Sequence, residues 1–164
     1  MTWTRVAVVT SAAAAVMLSL PGPAVGARAP FRFAGRTSQR LDVTFQIPYS
    51  FVGVRKFVID WTAKCTSGAT LETSTGGTGT IFFNRAGPGW NVRGRYSWTE
   101  VSPEYSASNE RRLTFRTAIR NAGRTRRDDV VGTWKTLTTV TDPTTGQGVD
   151  TCRTGRVTWR ADLL

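Results

Sequence analysis

Apolar and polar residues alternate with a period of two along most of this chain, the pattern of strands that bury one face. Leu41, Val43, Phe45 and Ile47 alternate with Asp42, Thr44 and Gln46 until Pro48 ends the run. In the next run Phe57, Ile59, Trp61, Ala63 and Cys65 share one parity, while Lys56, Asp60, Thr62 and Lys64 take most of the other. Cys65 is therefore expected to point inward. A short apolar start at Phe31 and Phe33, with a turn through Gly35 to Gln39, precedes these runs. After them come a turn at Thr66, Ser67 and Gly68, a short strand over 69–73 and a Gly/Thr loop over 74–79. Val92, Tyr96 and Trp98 then fall on one face opposite Arg93, Arg95 and Ser97, and a polar loop around Pro103 follows.

Two periods compete between Glu110 and Asn121. Arg112, Arg116, Arg120 and Arg124 are four apart as on a helix, whereas Leu113, Phe115, Thr117 and Ile119 share a strand face. Strand is the better reading, because Thr, Phe and Ile favour the pleated state and Asn109 with Glu110 makes a poor helix cap. A charged loop spans 123–129, a long strand runs from Val130 to Thr141, and Asp142, Pro143 and Gly146 make a tight turn. In the last run Val157, Trp159 and Ala161 share a face that Cys152 does not. Gly155 marks the break, as a bulge or as the start of a new strand after Thr154. The sum is about eight strands separated by Gly, Pro, Asn and Asp turns, which predicts an all-β, jelly-roll-like antiparallel sandwich, with a closed antiparallel barrel as the alternative.

The amino terminus changes the setting of this domain. From Val6 to Leu20 there is no ionisable side chain, Pro21, Gly22 and Pro23 break any helix, and Ala24, Val25 and Gly26 supply small residues for signal peptidase. The uncharged run is shorter than the roughly 20 residues that span a bilayer, so a cleaved leader over 1–26 is expected, not a transmembrane anchor. A single domain over 27–164 would then be secreted. In an oxidising compartment the two cysteines are expected to form a disulfide, Cys65 to Cys152, tying the last part of the chain to an early strand. By chain entropy such a loop contributes roughly 4 kcal/mol.

Several of these residues form an ordered set. Phe33, Gly35, Thr37, Ser38 and Gln39 lie near the mature start, Cys65 stands with Gly68, and Gly132 with Thr133 and Trp134; Cys152, Thr154, Gly155, Val157, Trp159 and Ala161 close the chain. The set resembles a family of small exported bacterial β-proteins of unknown function. The resemblance covers most of the mature chain and implies an exported all-β domain with one disulfide, without implying an activity. The arginine-rich segment lies outside the shared pattern.

The formal charge is +11, and all the basic residues except Lys56, Lys64 and Lys135 are arginines. The densest stretch is Arg111, Arg112, Arg116, Arg120, Arg124, Arg126 and Arg127, a candidate anion-binding face, since guanidinium forks suit phosphate, sulfate and carboxylate. Biased codon usage and a solvated basic face are the plain alternatives, and Asp128 with Asp129 neutralises part of the cluster. The chain has no histidine, which removes the commonest general base, the Ser/His triads and the usual transition-metal sites. Asp128 with Asp129, or Asp142 near Asp150, would be the places for calcium, but neither matches a calcium-loop spacing. No metal, cofactor or catalytic residue is expected. Most tryptophans belong in the core, whereas Trp90 and Tyr105, in predicted loops, are candidate glycan-stacking residues. The favoured function is a non-enzymatic binding protein for an anionic polymer, a cell-wall glycan or another extracellular protein. A carbohydrate-binding or carbohydrate-cleaving domain and a secreted inhibitor or structural module are the alternatives.

Overall fold

The computed structural model describes residues 28–85, 87–102, 111–126 and 128–164. The expected leader over 1–26 with its expected cleavage site, most of the polar loop with Tyr105, Arg127 and the side chain of Arg111 lie outside the described residues. Alternation becomes strand throughout: β1 (Phe31–Thr37), β2 (Asp42–Ile47), β3 (Gly53–Cys65), β4 (Thr70–Phe82), β5 (Gly89–Ser102), β6 (Arg111–Thr125), β7 (Asp129–Thr141), β8 (Gly148–Arg153) and β9 (Val157–Leu163). Among the described residues no helix is long and apolar enough to cross a membrane.

All pairings are antiparallel, and six strands close a ring in the order β1, β2, β3, β8, β7, β9. β1 is the reason the sheet does not split into a sandwich. It has hydrogen-bonded partners on both sides, Phe33 facing Phe45 of β2 and Leu163 of β9, so one sheet continues round one core. The closed barrel is therefore the arrangement, in place of two stacked sheets. β4 lies outside β3, and β6 followed by β5 lies outside β7.

Local chemistry explains most of the departures from simple alternation. Lys56 adopts φ 49, and the pairing of β3 with β4 shifts between Arg55 and Phe57. That bulge lets both Val54 and Phe57 face inward although their parities differ. The expected loop at 74–79 is strand, because β3 supplies a continuous ladder through Val58 opposite Gly76 and Phe57 opposite Gly77. β6 is a strand along its whole length, paired with β5 on one side and β7 on the other. The final run is two strands, parted at Gly155 with φ 68.

Cys65 and Cys152 are directly opposite in the short β3–β8 ladder and form the disulfide, at a sequence separation of 87. Only Lys64 with Arg153 accompanies them in that ladder, so the covalent bond secures the weakest junction of the ring. Inside, Phe45, Phe57, Trp90 and Trp159 form an aromatic cluster with ring centroids 5.7–6.3 Å apart. Trp61, Trp134 and Trp159 are buried as their alternation indicates. Trp90 corrects the expectation of a loop aromatic. It is 2% exposed, because β5 already begins at Gly89 and turns this side chain onto the core face. A residue so buried offers no ring to a sugar.

Candidate anion-binding face

The polar face of β6 is where the expected cluster lies. Arg112, Arg116, Arg120 and Arg124 occur at every second outward position of one strand, all exposed. A spacing of four thus places them in a line along the outside of the sheet. Neighbouring strands widen that line into a field. Arg93 of β5 stands directly opposite Arg120, and Arg120 directly opposite Lys135 of β7, so three cations lie abreast. One step along, Arg95, Ala118, Leu137 and Arg153 form the next row, and Ser97, Arg116, Thr139 and Thr151 the row after it.

Directly opposed side chains on paired strands are roughly 5 Å apart at Cβ, and like charges there destabilise the sheet. Among the described residues none of Arg93, Arg95, Arg116, Arg120, Lys135 or Arg153 has a carboxylate within ion-pair distance. Asp129 and Asp162 pair with Arg160 at 3.2 and 3.3 Å, at the far end of β7, and the Asp150 carboxylate is held by Thr66 and Ser67. The surface is dished, not enclosed. Two shallow depressions of about 560 and 400 Å³ share Arg95, Ala118 and Leu137, with the long cationic side chains as their rims. The arrangement suits charge-assisted contacts to several spaced anionic groups.

Arg126 does not join this face. It lies past the end of β6, beside a separate depression at the barrel end lined by Phe31, Phe51, Phe83 and Pro88. Arg93, Arg95, Lys135 and Arg153 were not among the candidates, although Arg93 and Arg95 already stood on the polar parity of their strand. Their membership depends on inter-strand register, which no local spacing reveals. Cys65, Asp150 and Cys152 bring potential metal ligands within 4.8 Å of one another, but the sulfurs are bonded to each other. The Asp150 carboxylate is occupied by the hydroxyls of Thr66 and Ser67, each donating at 2.5 Å.

The ordered motif set serves the fold. A Cβ on Gly35 would lie 1.9 Å from the carbonyl oxygen of Arg160, so only glycine lets β1 and β9 approach this closely. Thr37 Oγ1 accepts the Gln39 and Leu41 amides, the Ser38 hydroxyl accepts the Thr158 amide, and Gln39 exchanges two hydrogen bonds with the Thr62 backbone. Thr154 accepts the Thr136 amide, and Val157, Trp159 and Ala161 are core. No family model, curated protein or solved structure matches the chain.

Proposed function

We propose that this protein is a secreted, non-enzymatic binding protein that holds an anionic polymer on the outer face of β5, β6, β7 and β8. The observation that carries the reading is the row Arg93, Arg120 and Lys135, three cations abreast with no acidic neighbour. Such a row is unfavourable in isolation and becomes favourable against sulfate, phosphate or carboxylate groups. A polymer fits better than a single ion. From Arg112 to Arg124 the cations extend over roughly 40 Å at about 3.4 Å per residue, and β5, β7 and β8 broaden the track. The leader-like N-terminus and the disulfide support a setting outside the cytoplasm, where wall polymers and acidic glycans are found.

Heparin chromatography tests this reading. Replacing Arg93, Arg120 and Lys135 together by Gln should lower the eluting salt concentration and weaken binding roughly tenfold at moderate ionic strength. Replacing Arg32, Arg55 and Lys56 by Gln removes the same charge from β1 and β3, away from the β8 edge of that face. That control should elute close to the parent protein. Equal losses in both triples would reduce the effect to net charge and remove the site.

A further inference from the structure

β4 and β5 are the two ends of the strand path, and each has one edge without a hydrogen-bonded neighbour strand. The two edges face one another and are joined by side chains. Tyr96 and Thr75 share a hydrogen bond of 2.6 Å between their hydroxyls, and the Trp61 indole N–H donates to Thr75 Oγ1 at 2.9 Å. Beside that bridge lies a pocket of about 230 Å³, walled by Phe57, Ile81, Val92, Ile119, Asn121 and Trp134. For scale, an apolar cavity of about 150 Å³ is large enough to take benzene.

Two features make this pocket more than a packing fault. Asn121 and Trp134 are directly opposite on β6 and β7, 3% and 2% exposed, and the Asn121 Oδ1 acceptor and the Trp134 Nε1 donor both lack a hydrogen-bond partner. Orphaned buried polar atoms are costly, and here an acceptor and a donor belong to neighbouring residues of one wall. The second feature is the glycine rim. Gly76, Gly77 and Gly79 of β4 and Gly94 of β5 line the pocket, and a Cβ on Gly77, Gly79 or Gly94 would meet nothing within 4 Å. Glycine weakens a strand interior and is commonly found where a ligand comes close. No charged side chain lines the space.

We infer that this pocket binds a small, uncharged, mainly apolar molecule carrying one hydroxyl, of about the size of a phenol. Its O–H donates to Asn121 Oδ1, its oxygen accepts from Trp134 Nε1–H, and its apolar body lies against Phe57, Val92 and Ile119. The basic side chains project from the other side of the same sheet, and Gly94 and Ile119 border both depressions.

Titrating phenol into ¹⁵N-labelled protein tests the inference. Phenol should shift the Trp134 indole N–H saturably and bind about tenfold more tightly than toluene, which has no hydroxyl. Gly77→Val places a side chain in the empty space without meeting backbone and should abolish the shift. Asn121→Leu removes the orphaned acceptor and should reverse the preference in favour of toluene, which also guards against misfolding of the glycine variant. A shift that does not saturate means that water alone fills the pocket and overturns the inference. Unchanged phenol binding in Gly77→Val, or equal affinity for phenol and toluene in the parent protein, would do the same.

Discussion

Asp150 sits where β8 passes the turn that follows β3. Its carboxylate accepts the hydroxyls of Thr66 and Ser67 at 2.5 Å, the Thr151 amide at 2.7 Å and the Ser67 amide at 3.3 Å. Burial opposes ionisation, but the hydrogen bonds from Ser67, Thr66 and the two amides outweigh it and hold the pKa at about 2, against 3.8 for a free aspartate. The unfolded chain therefore takes up this proton before the folded one does. Stability contributed by Asp150 is full above the unfolded pKa and is lost as pH falls from about 4 towards 2. Urea midpoints measured across that interval should fall more steeply for the parent protein than for Asp150→Asn, and parallel curves would refute the assignment. In the sequence Asp150 had only a weak reading as a calcium ligand beside Asp142. The two hydroxyls it accepts, from Thr66 and Ser67, lie more than eighty residues away in the chain, so nothing near it in sequence marks the role.

At the level of elements, β6 and β7 meet at a pair of glycines. Gly123 and Gly132 are in register, the Trp90 ring packs over the first and the Trp159 ring over the second, and the two indoles stack with centroids 5.8 Å apart. A Cβ on Gly132 would lie 2.2 Å from Trp159. Gly132→Ala is expected to destabilise by about 1–3 kcal/mol, the usual range for overpacking. Gly148→Ala, where a Cβ meets nothing within 4 Å, should cost far less, and urea denaturation of the two variants checks the difference. The strands themselves were legible wherever one face is buried, as in β2, β3, β6 and β7. β4 was legible only over 69–73, because its Gly/Thr stretch at 74–79 has no apolar alternation and is strand only by virtue of its ladder with β3. Trp90 was misplaced for a related reason, since Gly87, Pro88 and Gly89 resemble a loop that extends further than it does.

For the molecule as a whole, closure of the ring and the width of the basic face are products of register. The C-terminal break at Gly155 and the pairing of Cys65 with Cys152 could be read from parity and compartment, yet whether the strands formed a sandwich or a barrel depended on β1 bonding to β9 across the length of the chain. The line of arginines on β6 was visible as a spacing. Its flanking cations were not, because Arg93 and Lys135 come from strands whose alignment leaves no local trace.

The disulfide has a further consequence for that surface. With both sulfurs bonded and no histidine in the chain, no side chain of ordinary acidity titrates near neutrality. The positive field is thus constant from mildly acidic to mildly alkaline water, and heparin retention at fixed salt should be flat between about pH 6 and 8.5. On the proposed reading, mild acidification is then no means of release: a bound sulfated polymer would leave when small ions crowd it out or a stronger competitor takes its place.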